Sequence, residues 1–380
     1  MEEGSGMKFL NFKKYIIIFF FILICSVGAV IFKNRTTQTI KPTISSNTRV
    51  GIPVVKKSKY KGVLKKKFKR VRFSGTAILI KNNKIVDSYT SDWANINSKN
   101  TLSTSYEIDS LQKVLTAGLV MMQVNKGTMK LTDKVNKFIP ELPGAKDITI
   151  RDLLDMSSGL TLKKMSFSGD DLSSAELLDD VVDNVKYDPI ARKNKKWSYQ
   201  PVNFVILSEI LEEITGESYK QLFNQTYIKK LGLKQTKFAY ENNERINCAS
   251  GYMVKNDSEK VEQKPNGATI HSELGTGQVY MSAPDYYKVL SNLLNGKILG
   301  KNNATKLYLP SKAKYQAGLY TSNKPFYRFA NGYGYGFEDH VRISQDGKEA
   351  VVVFSNQKRI GRNDLKMKVD QLSNEFLGEK

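Results

Sequence analysis

Ser110 and Lys113 stand three residues apart in the stretch Ser105-Tyr-Glu-Ile-Asp-Ser-Leu-Gln-Lys-Val-Leu-Thr-Ala-Gly-Leu-Val-Met-Met122. On a helix that spacing puts both side chains on one face. A serine hydroxyl is a weak nucleophile until a neighbour takes its proton. The helix carrying the pair is apolar almost all round, so it is expected to be buried. A lysine held in a low-dielectric pocket gives up its proton more readily than one in water and can serve as a base. The helix N-terminus adds a favourable potential for developing negative charge. The plain alternative for so short a pattern is Ser110 as a helix cap and Lys113 as an exposed residue.

Other chemistries find less support. The two histidines, His271 and His340, sit in no Cys/His cluster and in no H-x-x-x-H pair, which argues against a zinc site. No G-x-S-x-G elbow occurs to make a histidine-based triad. Gly332, Gly334 and Gly336 form a glycine-rich run, but it lacks the lysine and the following helix of a phosphate cradle. No metal and no cofactor are expected. Cys25 and Cys248 are too few for a disulfide framework.

The elements that must position the serine follow from periodicity. Phe73–Ile80 and Ile85–Thr90 read as a hairpin about an Asn-Asn turn, and Glu338–Ile343 and Glu349–Phe354 as a second strand pair about Gly347. Asp364–Leu377 reads as a closing helix. Between the strands lie helical patterns at Leu111–Asn125, Ile150–Met156, Ser173–Asn184, Val202–Thr215, Tyr219–Ile228 and Pro284–Asn295. The fold class is therefore α/β: an antiparallel sheet flanked by helices, with a helical subdomain. No period of 20 to 50 residues is present, so repeat folds are set aside.

Several segments, in order, resemble the β-lactamase and penicillin-binding-protein-like serine hydrolases, particularly their class C and D-alanyl carboxypeptidase or esterase branch. The Ser110–Lys113 segment is similar to the family's active-site serine helix, and Ile148-Thr-Ile-Arg-Asp-Leu-Leu-Asp-Met-Ser-Ser-Gly-Leu160 to the stretch that follows it. Trp197-Ser-Tyr199-Gln-Pro-Val-Asn-Phe204, with its helix ending at Thr215-Gly216, looks like the tyrosine motif. Leu231-Gly-Leu233 and Gly275-Thr-Gly-Gln-Val-Tyr-Met-Ser-Ala-Pro-Asp285 match later signposts. The resemblance runs from about Phe73 to Asn356. It implies a β-lactamase/transpeptidase-like fold in which Ser110 attacks, Lys113 and Tyr199 share the proton transfers, and an acyl-enzyme is hydrolysed by water. It also implies an oxyanion held by backbone N–H groups of Ser110 and of a residue near Gly334.

Two departures bear on substrate. The family's Tyr-x-Asn pattern here has Pro201 in third place, and its later Lys or His before a small residue and glycine falls in Phe329-Ala-Asn331-Gly332-Tyr-Gly-Tyr-Gly336, where Asn331 stands. Asn331, Gly332 and Gly334 are expected to contact substrate. Without that cation a substrate lacking a free carboxylate is favoured, although Arg328 or Arg342 could compensate. The resemblance then implies hydrolysis of D-alanyl groups of the cell envelope, with the ester of teichoic acid preferred. The alternatives are a D-alanyl-D-alanine carboxypeptidase, a weak β-lactamase and, from another class, a noncatalytic binder of wall polymer whose site is degraded at Pro201 and Asn331.

The N-terminal region has a different character. Tyr15–Phe32 is an eighteen-residue run without a charge, just long enough to cross a hydrocarbon core. Lys8, Lys13 and Lys14 before it favour a cytoplasmic N-terminus over residues 1–14 and an extracellular domain. A cleaved signal peptide is the alternative, and Ile24 before Cys25 disfavours lipidation. Residues 33–72 carry fourteen Lys or Arg and no acid out of a net charge of +22. They read as a basic flexible linker suited to anionic lipid or a phosphate-rich polymer, teichoic acid rather than nucleic acid. The hydrolase domain is expected over 73–380.

Overall fold

The structure is a computed structural model that describes residues 51–163, 166–244, 246–256, 259–308, 314–323 and 325–378. Its main sheet has seven strands: Gly75–Lys81 (β1), Lys84–Ser91 (β2), Tyr315–Gln316 (β3), Leu319–Asn323 (β4), Phe326–Gly334 (β5), Phe337–Ile343 (β6) and Ala350–Ser355 (β7). They lie in the order β3-β4-β5-β6-β7-β1-β2, and every pair is antiparallel. The β1–β2 hairpin turns at Asn82 and Asn83, whose φ of 51° and 59° are the backbone a tight hairpin needs and asparagine tolerates. β1 pairs with β7 from Gly75↔Ser355 to Ile80↔Ala350, so the two ends of the domain close on each other.

The strands alternate between two apolar layers. Ala77, Leu79, Val351 and Val353 face Leu365, Val369, Leu372 and Phe376 of the closing helix. Ile78, Ile80, Val352 and Phe354 face the larger core, which holds the serine helix. Burial on both sides is why β7 reads as the unbroken apolar run Ala-Val-Val-Val-Phe before Ser355. The helical subdomain is inserted between β2 and β3. Capping boxes start its short helices at Thr149/Asp152, Ser173/Glu176 and Ser218/Gln221, each satisfying donors a helix start leaves open. A second sheet joins Ser105–Glu107, Val279–Ser282 and Thr236–Phe238, carrying the chain straight into the serine.

The expected linker boundary needs correction. Residues 51–72, read above as the end of a flexible linker over 33–72, are packed on the domain. Val63–Phe68 (α1) is a helix. Tyr60, Leu64 and Phe68 are buried against the closing helix, and the Gly62 and Leu64 N–H groups donate to the Asp87 carboxylate at 3.1 and 2.9 Å. The spacing i, i+4, i+8 of those three residues makes an apolar stripe, which the surrounding lysines conceal in composition. The expected membrane span Tyr15–Phe32 lies outside the described residues, and no helix among the described residues is long and apolar enough to cross a membrane.

Candidate active site

After Glu107 the chain makes a tight 3₁₀ turn over Asp109–Leu111, with Asp109 at φ 41°, and runs into the helix Gln112–Lys126 (α2). Ser110 therefore sits on a bend rather than capping the helix. Lys113, only 1% exposed, donates from Nζ to Ser110 Oγ at 2.9 Å and to the Thr276 carbonyl at 3.4 Å. The loop that brings Thr276 there is pinned by α2: Gln112 Oε1 accepts from the Gln278 N–H at 2.6 Å, and Thr116 Oγ1 donates to the Gly275 carbonyl at 2.7 Å. Gly275 has φ 67°, and a Cβ on it would stand 1.9 Å from Ser208 Oγ, so a side chain there would push the loop off the lysine.

Tyr199 arrives from the other side. Its segment precedes the helix Val202–Thr215 (α3) and is clamped by the Ile148–Leu160 stretch: the Ser198 N–H donates to the Met156 carbonyl at 2.9 Å, and Ser158 Oγ donates to Asn203 Oδ1 at 2.6 Å. The buried Asn203 Nδ2 returns a bond to the Gln200 carbonyl at 2.8 Å. Lys113 Nζ lies 5.6 Å from the centre of the Tyr199 ring. Pro201, where an amide was expected, is the first residue of the bend into α3.

Ser110 and Tyr199 open onto a cavity of about 330 Å³ lined also by Tyr315, Gly318, Tyr320, Ala330, Asn331 and Tyr333. Its wall is four tyrosines with no charged residue among the described lining. Tyr315 meets Tyr320 edge-on at 4.8 Å and Tyr199 at 6.3 Å, which locks the rings by packing. β4 pairs with β5 only from Phe326 to Phe329. Beyond Phe329, β5 keeps β6 on one side, while its other edge runs past the serine turn. Close approach is possible because a Cβ at Gly332 would lie 2.4 Å from the Ile108 carbonyl oxygen, and one at Gly334 1.8 Å from Asp109 Oδ2.

Asn331 lines the cavity, but its side chain is engaged within the sheet. Asn331 Oδ1 accepts from Arg342 Nη1 at 3.0 Å and bonds His340 Nδ1 at 2.8 Å. Neither arginine offered as a substitute cation joins the lining. Arg342 is fully buried and ion-paired with Asp370 at 2.6 Å, and buried Arg328 donates to the Tyr308 carbonyl. Burial pushes the His340 imidazole down to about 4, so it is neutral and acts as a packed hydrogen-bonding ring.

Sequence reasoning missed the acids behind the serine. Ser110 Oγ donates to Asp109 Oδ1 at 2.7 Å, and the Asp109 N–H donates to Glu107 Oε1 at 2.7 Å. Burial pushes Glu107 and Asp339 well above the usual carboxylate range. Each keeps an oxygen without a hydrogen-bond partner among the described residues, as suits a protonated, neutral acid. Asp109 is raised to about 6, first by burial and then by Glu273, with Lys113 pulling the other way. The available signal was Glu107-Ile-Asp109 directly before the serine, but Asp339 comes from β6 and Glu273 from the end of a short helix, both far along the chain.

A cavity-facing serine bonded to a buried lysine at the start of a helix, at the junction of an antiparallel sheet and a helical subdomain, defines a serine hydrolase of β-lactamase/transpeptidase-like fold. The Beta-lactamase family profile matches residues 62–369, and the chain belongs to that family. It aligns over 395 positions at 27% identity with a teichoic acid D-alanine hydrolase of Staphylococcus aureus strain MRSA252, covering 95% of each protein. The crystal structure of FmtA from Staphylococcus aureus superposes with a TM-score of 0.72 at 23% identity, covering 83% of this chain and 86% of that one. D-amino acid amidase from Ochrobactrum anthropi SV3 gives 0.69 at 19%, over 83% and 96%. These two share the fold.

Proposed function

We propose that this hydrolase removes D-alanyl groups from ester linkage on teichoic acid, through an acyl-enzyme on Ser110. The observation that carries the reading is the uncharged, tyrosine-walled cavity in front of Ser110 and Lys113. A D-Ala-D-Ala terminus or a β-lactam brings a carboxylate that wants a cation. The described lining supplies none, and Arg342 and Arg328 are committed elsewhere. The alignment with a teichoic acid D-alanine hydrolase supports the same substrate.

In this reading Tyr15–Phe32 anchors the chain in the membrane with the domain outside. The basic segment, including the lysines displayed by α1, meets anionic lipid or polyanionic wall polymer. The test is release of free D-alanine from D-alanylated teichoic acid and from a D-Ala-D-Ala peptide, by the natural protein and by Ser110→Ala. The expected result is release from the ester by the natural protein only. Preference for the peptide would replace this substrate with that of a carboxypeptidase, and no release from either would favour a polymer-binding role.

A further inference from the structure

We infer that Tyr315 and Tyr320 form a binding corner for the free α-ammonium of an aminoacyl ester, so that this site selects acyl groups whose amine is unblocked. The inference rests on the reading above, with Ser110 as the nucleophile at this cavity, and adds which part of the D-alanyl group the walls recognise.

The chemistry of the acyl group fixes where its charge must sit. In an aminoacyl ester the nitrogen is two bonds from the acyl carbon, about 2.5 Å away. Once Ser110 Oγ bonds that carbon, the ammonium stays within the cavity onto which Ser110 opens. A cation withdrawn from water needs a negative or electron-rich partner. The described lining holds no carboxylate, and Asp109, which accepts from Ser110 Oγ at 2.7 Å, is not part of it. What the walls offer is tyrosine rings, whose faces are negative and attract cations. The same faces do nothing for the carboxylate of a D-Ala-D-Ala terminus or a β-lactam. In a longer peptide ending D-Ala-D-Ala, moreover, the nitrogen beside the reacting carbonyl group is an uncharged amide.

The rings are set as a corner. Tyr315 and Tyr320 meet at 70° with centres 4.8 Å apart, and Tyr199 stands at 84° to Tyr315. Trp197 packs on both at 6.2 and 6.3 Å, and Phe329 stacks on Tyr320 at 5.1 Å. Walls at steep angles can surround a cation, where a parallel stack would leave no room for one. Two of the four lining tyrosines already have a lysine over them: Lys113 Nζ lies 5.6 Å from the centre of Tyr199, and Lys358 Nζ 4.3 Å from that of Tyr333. The charge of Lys358 is matched by Glu338 Oε2 at 3.3 Å. Among the described residues no lysine or arginine stands over Tyr315 or Tyr320, which leaves these two for the substrate. Burial holds the Tyr315 phenol well above its ordinary value and raises Tyr320 to about 12. Both rings are therefore neutral at working pH, and it is their faces that attract.

The experiment compares two forms of one polymer, D-alanylated teichoic acid and the same material after N-acetylation of its D-alanyl amines. The readout is kcat/KM for release of D-alanine and of N-acetyl-D-alanine, each divided by its rate of release by hydroxide, which removes the difference in intrinsic reactivity. The assay is run at about pH 6.5, where an α-amino group with an ordinary value of about 7.7–8.0 is charged. The natural protein should favour the free amine by about fivefold or more. Tyr320→Leu should lower that ratio by about threefold or more, and Tyr320→Phe, which keeps the ring, by less. A ratio does not depend on how much of a variant folds, and the ratio of the natural protein needs no variant. A natural ratio below about fivefold, a loss in Tyr320→Leu of less than about threefold, or an equal loss in Tyr320→Phe would overturn the inference. Release from both polymers alike overturns it while the teichoic ester reading stands. Release from neither overturns both.

Discussion

Gly334→Ala tests how closely the sheet edge holds the serine turn. The added methyl would stand 1.8 Å from Asp109 Oδ2 and 2.9 Å from its Cγ, more than 1 Å inside the shortest contacts real Cβ atoms make, about 3.0 Å. Asp109 has little room to withdraw, because Glu107 holds its backbone at 2.7 Å and Gly277 lies so near that a Cβ on it would stand 3.3 Å from the Asp109 Cα. The strain must go into rotating the carboxylate away from Ser110 or pushing the turn from β5, and either breaks the 2.7 Å bond to Oγ. A displacement of about 1 Å at a reacting group costs on the order of 10²-fold in rate, while overpacking costs about 1–3 kcal/mol of stability. The variant should therefore stay folded with a lowered unfolding midpoint, and lose about a hundredfold in kcat/KM for an activated ester. Activity within threefold of the natural protein would refute the claim that Gly334 is present to admit Asp109.

Lys113→Met removes the ammonium but keeps an unbranched side chain in a site that is 1% exposed. Turnover should fall by about 10²–10⁴-fold, with a lowered thermal stability, since the Asp109 carboxyl loses the cation beside it. Retained turnover would remove Lys113 from the chemistry. Glu209 on α3 is buried, and burial with help from Glu212 raises it from 4.5 to about 8. A raised carboxyl binds its proton more tightly in the folded state, so its stabilisation is full below pH about 4.5 and is lost as the pH rises to about 8, by an upper figure of about 5 kcal/mol. Glu209→Gln should then unfold at higher urea than the natural protein at pH 9 and show a smaller gap at pH 5. An equal gap at both pH values would refute it.

The serine helix, α3 and the closing helix were legible in the sequence because each combines apolar periodicity with its own end signals. Val202–Thr215 and Asp364–Leu377 are observed with the expected bounds. The Asn-Asn hairpin was legible for the same local reason: two residues suited to positive φ between strand-like runs. The helix expected over Tyr219–Ile228 begins on time but turns into a wider π-helical coil over Asn224–Lys229, which local pattern does not report. Tyr60, Leu64 and Phe68 show how composition can hide periodicity, since fourteen basic residues without an acid read as a tether although three of their neighbours make a buried stripe.

At the site, the spacing of Ser110 and Lys113 determined that a hydroxyl and an ammonium share a helix face, because i and i+3 are neighbours on any helix. Tertiary structure alone decided that Lys113 is enclosed, through Thr276 arriving from 163 residues away along the chain. It likewise decided that Asn331 serves Arg342 and His340 across the sheet. It also brought Glu107, Glu273 and Asp339 within electrostatic reach of Asp109. Whether an acid beside a serine is ionised depends on burial and on the charges other elements bring to it. Those are properties of the packed molecule, and no spacing within one segment encodes them.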